Sequence, residues 1–178
     1  EFASESHEVL YYLDTYVDGN KKINRKKTAT RLINEGVALI KERDYKKAYQ
    51  KFDKAVEIDP MAIIQRNYLS LMSFFNGEID KAISISKSVL KVEFECPLAH
   101  FCLLLYYAYL NNQTMLKKQL RIIYSLKTIK KKAFSSDLKI FLSIISDSNV
   151  ISDSLKQFLS TILKSKDMEK ISNLYLEE

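Results

Sequence analysis

The sequence predicts an all-α protein, an α-α superhelix of about three helix hairpins with extra helices at both ends. Three observations carry that prediction. Only 3 glycines and 2 prolines occur in 178 residues, so few positions can supply the positive φ that tight β-hairpin turns need. Lys, Leu, Glu, Ala and Ile dominate long segments whose apolar residues recur at helical spacing. A pattern of breaks and small residues around Gly36 is echoed 34 residues later. At 47% hydrophobic residues the chain can bury a core, which argues against disorder.

Taken in order, Val9, Leu10, Tyr12, Leu13 and Tyr16 give an amphipathic N-terminal helix over residues 1–20, closed by Gly19-Asn20. The clearest unit spans 28–60. Its first helix sets Leu32, Gly36 and Leu39 on one face, and a break follows at Arg43-Asp44, where Asp44 can cap the next helix. That second helix carries Tyr45, Ala48, Tyr49, Phe52, Ala55 and Val56 and stops at Asp59-Pro60, because proline disfavours helix in the residue before it. Gly36 and Ala48 mark a close crossing of the two helices, with Leu32, Leu39 and Phe52 filling its flanks.

A second hairpin over 61–96 follows by a 34-residue shift. It carries Arg43 to Gly77, Asp44 to Glu78, Ala48 to Ala82 and Gly36 to Ser70. A third, over 97–130, opens at Pro97 after an expected small insertion. It turns at Asn111-Asn112, is capped by Thr114, and has Tyr106 and Lys118 where the first unit has glycine and alanine. Residues 131–178 read as a helical extension or cap. One helix there is capped by Ser135 or Ser136 and carries Leu138, Phe141, Leu142 and Ile145. A second is capped by Ser152, and a last short one runs through Met168 and Ile171. This extension is either a decayed fourth hairpin with a terminal cap, which stacked repeats need to cover an exposed end, or a separate helical subdomain.

The first unit, with Gly36 and Ala38, Asp44-Tyr45, Ala48, Phe52, Ala55 and Asp59-Pro60, resembles a tetratricopeptide repeat, clearest over 29–60 and degenerate over 61–130. Leu32 stands where that family usually has an aromatic residue. The resemblance implies a curved stack whose first helices line a concave face, and a role in holding a partner protein as a scaffold, assembly or stabilising factor. It also implies that a carboxylate clamp for acidic chaperone tails is absent, because Ile33 and Val37 occupy the positions of its lysine and asparagine.

The expected partner stripe is Ile33, Val37 and Lys41 in the first unit, with Ile40 between them. It continues through Asn67, Leu71, Phe74 and Phe75 in the second unit and His100, Leu103 and Tyr107 in the third. Such a groove is apolar and aromatic and suits an extended peptide or an amphipathic helix. Two other arrangements stay open: these residues pack between repeats, or the N-terminal helix with Tyr12 and Tyr16 fills the groove.

The charge is +6, from 28 basic and 22 acidic residues. Lys127, Lys130, Lys131 and Lys132 form a basic patch that, with Lys117, Lys118 and Arg121, offers an alternative reading as an RNA or anionic-surface site; the simpler reading is a solvated lysine face. Cys96, Cys102, His7 and His100 are too few for a disulfide framework or a closed metal site. His100 and Cys102, two apart on a helix, point to different sides and make a poor base and nucleophile pair. No phosphate loop or two-histidine motif occurs, so the expectation is a non-enzyme without cofactor or metal. The most apolar run, Phe101 to Leu110, is about half the roughly 20 residues a spanning helix needs. The chain reads as a soluble domain with its compartment open. Glu1-Phe2 reads as a cloning remnant, which leaves room for a leader or membrane tether upstream.

Overall fold

A computed structural model describes residue 19 and residues 24–60, 62–125 and 136–164. Among the described residues there are eight helices and no strand. They are α1 (24–41), α2 (Tyr45–Ile58), α3 (Ile63–Phe75), α4 (Ile79–Val92), α5 (Pro97–Tyr109), α6 (Gln113–Ser125), α7 (Ser136–Asp147) and α8 (Asp153–Lys164). From α2 to α6 each helix packs on the next in sequence, and α3 also packs on α5. The protein is therefore all-α and builds a superhelix from hairpins α1–α2, α3–α4 and α5–α6. The expected N-terminal helix, the patch at Lys127 and Lys130 to Lys132, and the helix through Met168 lie outside the described residues.

The turns explain why the hairpins repeat. Arg43, Gly77 and Asn111, each 34 residues beyond the last, are the described residues with positive φ, at 60°, 83° and 51°. At each, the next residue's N–H reaches back to the carbonyl five residues before it: Asp44 to Leu39 at 3.0 Å, Glu78 to Ser73 at 2.8 Å, Asn112 to Tyr107 at 2.9 Å. The positive-φ residue itself bonds three back, to Ile40, Phe74 and Ala108. This paired bonding is a Schellman stop, which satisfies carbonyls that a helix end otherwise leaves bare. Asp44 then caps α2 through Lys47 N–H at 3.1 Å, and Asn112 caps α6 through Met115 N–H at 3.1 Å. The cap of α6 is thus Asn112, because its amide oxygen already reaches the first turn, and not Thr114.

The same 34-residue step runs through the second helices of the hairpins. Ala48, Phe52 and Ala55 are buried in α2, Ala82, Ser86 and Val89 in α4, and Leu116, Leu120 and Ile123 in α6. This corrects the expected insertion before the third unit. With an unbroken step, Gly36 corresponds to Ser70 and then Leu104, and Ala48 to Ala82 and then Leu116. Tyr106 and Lys118 are not their equivalents. Two leucines thus occupy the third unit where the first has glycine and alanine.

Gly36 does sit at a close crossing, but Phe52 is not on its flank. A Cβ built on Gly36 would lie 2.7 Å from Phe52 Cζ and 3.0 Å from each Cε, so the ring tip occupies the space a side chain would need. The other side of the ring stacks on Tyr68, with centroids 5.0 Å apart and planes 10° from parallel. The first hairpin is thereby keyed into the second. The next junction is polar. The single Ser70 hydroxyl proton goes to the Ala82 carbonyl at 2.8 Å, which leaves Ser86 and Tyr106 to donate to the Ser70 oxygen at 2.8 and 2.9 Å. Each of these buried hydroxyls has its partner, as burial requires.

Helix α5 is the centre of the molecule. Every residue from Leu98 to Tyr107 is buried, the pattern of a helix enclosed on all sides. It is enclosed because α7 and α8 both pack against it, adding to α3, α4 and α6. Phe141, Ile144, Ile145, Phe158, Leu159 and Ile162 supply the apolar faces of the two terminal helices. Ser152 caps α8, its hydroxyl accepting from Leu155 N–H at 3.4 Å. Asp153 opens α8 six residues later than a 34-residue step from Gln113 predicts, so α8 stands outside the repeat register.

Candidate partner-binding site

The first helices of the hairpins carry the predicted stripe, and its second and third parts are closed. Asn67, Leu71, Phe74, Phe75, His100, Leu103 and Tyr107 are all buried, so the open groove expected over them is not found. Two physical facts bear on the third unit. The unbroken 34-residue step places Phe101, Leu105 and Tyr109, not His100, Leu103 and Tyr107, in line with Asn67, Leu71 and Phe75. And α7 and α8 pack against α5, adding to the enclosure of that helix by α3, α4 and α6. The contacts of Phe74 with Tyr106 and of Phe75 with Tyr45 are packing between hairpins, one of the arrangements the sequence left open; the N-terminal helix, the other, lies outside the described residues.

The buried members have structural duties. Phe74 stacks on Tyr106 with centroids 5.0 Å apart and meets Tyr109 edge-on, while Phe75 stacks on Tyr45 at 4.6 Å. Asn67 donates its amide to Cys96 Sγ at 3.4 Å. His100 Nε2–H donates to the Phe94 carbonyl at 2.7 Å, and Nδ1 accepts from the Gln119 amide at 2.7 Å. That arrangement fits the neutral ring alone, since a second ring proton would face the Gln119 N–H. Burial accordingly holds the His100 pKa below its ordinary value, opposed by the bond to Phe94.

The first part of the stripe stays accessible. Ile33 and Val37 are half-buried and Lys41 is exposed. Val37 and Lys41 line a slot between α1 and α7 of roughly 350 Å³, together with Ile40, Ile140 and Ile144. Arg43, Tyr45, Ser143 and Asp147 stand around it.

A second accessible feature lies where α4 ends and α3 begins. Phe94 is 61% exposed, and Val92 and Ile64 are about half exposed. Arg66 Nη2 donates to Ser88 Oγ at 2.7 Å across the two helices, which brings these helix ends together. The Phe94 ring is held edge-on against His100, with centroids 6.0 Å apart. An edge contact of this kind restricts the ring, and the less an exposed aromatic has to be ordered on contact, the lower the cost of binding.

Sequence reasoning missed Phe94, since an isolated aromatic in a connecting segment carries no periodic signal, and it passed over Val92 and Ile64 at the ends of α4 and α3. It also missed Arg43, although the signal was present: the 34-residue shift puts an arginine where the next unit has glycine.

The cysteines are buried and unpaired. Desolvation is the main cause that pushes the Cys102 thiol up to about 12, with a lowering hydrogen bond from Tyr106 set against it. The thiol is therefore neutral near pH 7, and a buried neutral thiol is a weak nucleophile. Cys102 faces Tyr106 and Ser86 while His100 faces Gln119 and Phe94, so the two do not meet. Among the described residues no group of three or more His, Cys, Asp and Glu is placed to hold a metal. No helix among them is long and apolar enough to cross a membrane. Comparison with protein-family models finds none that matches the chain, and no curated protein matches it.

Proposed function

We propose that this chain is a non-catalytic module that binds a partner protein, serving as a scaffold or assembly factor, and that its hairpins are of the tetratricopeptide class. One observation carries the reading. Three hairpins repeat at a 34-residue step, with the same Schellman stop and the same buried positions in each. Stacks of this kind devote most of their residues to presenting an extended rigid surface. The surface here includes the preorganised Phe94 with Val92 and Ile64, and the accessible first part of the stripe at Ile33, Val37 and Lys41. The buried members of the stripe hold the stack together.

The test is affinity capture from native extract with the wild-type chain and with Val92→Glu/Phe94→Glu, both checked by circular dichroism. The reading expects a defined protein to be retained by the wild type and lost from the variant at unchanged helicity. Retention is expected to depend weakly on salt, whereas contacts to nucleic-acid phosphates weaken by orders of magnitude from low to moderate salt. Capture that vanishes at moderate salt, or on nuclease treatment, would move the reading to the nucleic-acid alternative.

A further inference from the structure

The slot between α1 and α7 has a chemistry that partner binding does not explain. Its wall is apolar, made by Val37, Ile40, Tyr45, Ile140 and Ile144. Lys41, Arg43 and Asp147 also line it and are exposed, and none of the three forms an ion pair with a described residue. Arg43 and Asp147 also border the polar cleft that runs on to Lys156, which Lys41 does not line.

Arg43 is the telling residue. It holds φ at 60°, where the next two units place Gly77 and Asn111. Glycine takes that backbone without strain and asparagine is the next most tolerant residue, while a long side chain there is disfavoured. The side chain of Arg43 gains no hydrogen bond or ion pair within the described chain that would offset this. The strained position thus keeps a guanidinium on the lining of a largely apolar slot that a second cation, Lys41, also lines.

We propose that this slot binds a free amphiphilic monoanion, a medium-chain carboxylate. The alkyl chain lies among Val37, Ile40, Ile140 and Ile144, and the carboxylate meets Arg43 and Lys41. Its volume of roughly 350 Å³ is at the lower end of the range for small-molecule sites, about 300–1,000 Å³. A guanidinium grips a carboxylate through two parallel N–H bonds, which suits the arginine to this end of the ligand. The Ser143 hydroxyl offers a further donor. Asp147 opposes the ligand's charge, and that gives the proposal a testable sign.

The experiment is isothermal titration of decanoate, below its micelle concentration, into the full chain. One saturable site is expected, with binding weakened about fivefold by Lys41→Met and by Arg43→Gly, and tightened several-fold by Asp147→Asn. Decanol, which has the same alkyl chain and no charge, is expected to bind at least about tenfold more weakly. Arg43→Gly adopts a backbone that Gly77 already shows, so weaker binding in that variant cannot be assigned to unfolding. Phe94→Glu is expected to change nothing, which separates this site from the Phe94 part of the partner surface. Absence of saturable binding, decanol binding as tightly as decanoate, or affinity unchanged in Lys41→Met and Arg43→Gly would each overturn the proposal.

Discussion

Replacing Gly36 with alanine adds one methyl group at the most crowded point of the first hairpin. Two effects of opposite sign follow. In a helix interior alanine is favoured over glycine by about 1 kcal/mol, which alone would stabilise the protein. Against it stands the ring of Phe52, whose tip is 2.7 Å from the position of the new carbon, about 1 Å inside an ordinary carbon contact. The ring cannot withdraw freely, because Phe52 is fully buried and stacks on Tyr68. Overpacking of this kind costs about 1–3 kcal/mol, so the net effect is destabilisation by up to about 2 kcal/mol, and Gly36→Leu exceeds it. The assay is urea denaturation followed by helical circular dichroism, where a slope of about 2 kcal/mol/M converts that loss into a midpoint lower by up to about 1 M. The decisive comparison is the background Phe52→Leu, which removes the ring tip. There the same Gly36→Ala change becomes stabilising by about 1 kcal/mol, because only the propensity effect remains. If Gly36→Ala stabilises the wild type as much as it does the Phe52→Leu background, the close crossing does not exist.

Other expectations follow from the same structure. Gly77→Ala places a Cβ at φ 83° and lowers stability by about 1 kcal/mol, whereas Arg43→Gly relieves φ 60° and raises it by up to about 1 kcal/mol; urea midpoints report both. His100 is held neutral by burial, with its pKa below the ordinary value near 6.5. The unfolded chain therefore binds a proton more readily than the folded one. Stability from this residue is complete above about pH 6.5 and is lost as the pH falls from there towards the depressed folded value. Urea midpoints measured from pH 7.5 down to pH 5.5 should fall in the wild type and stay flatter in His100→Gln, whatever the variant's absolute stability.

Much of the fold was legible in the sequence because its physics is local. The break at Arg43-Asp44, the stop at Asp59-Pro60 and the glycine at 36 are each set by a few neighbouring residues. The 34-residue shift then carried the same break to Gly77. The third unit was harder to place because its markers are atypical. Asn111 replaces a glycine, and Leu104 and Leu116 replace small residues, so the shift looked interrupted where it is not. The expected groove failed for a different reason. The sequence of α5 is apolar all round, and a stripe drawn on one of its faces cannot show that α7 and α8 pack on that helix; that packing joins residues distant in sequence. The opposite error was made at Phe94, whose exposure depends on a connecting segment with no helical period.

Hydroxyl-radical footprinting of the full chain measures directly which aromatic residues water can reach. Phe94 and Tyr109 are exposed, whereas Phe74, Phe101, Tyr106 and Tyr107 are buried under neighbouring helices. Rapid modification of Phe94 and Tyr109, with the other four protected, is the expected result. Modification of Phe74 and Tyr107 as fast as Phe94 would mean that the first-helix face is an open groove, and would return the partner site to the stripe this structure closes.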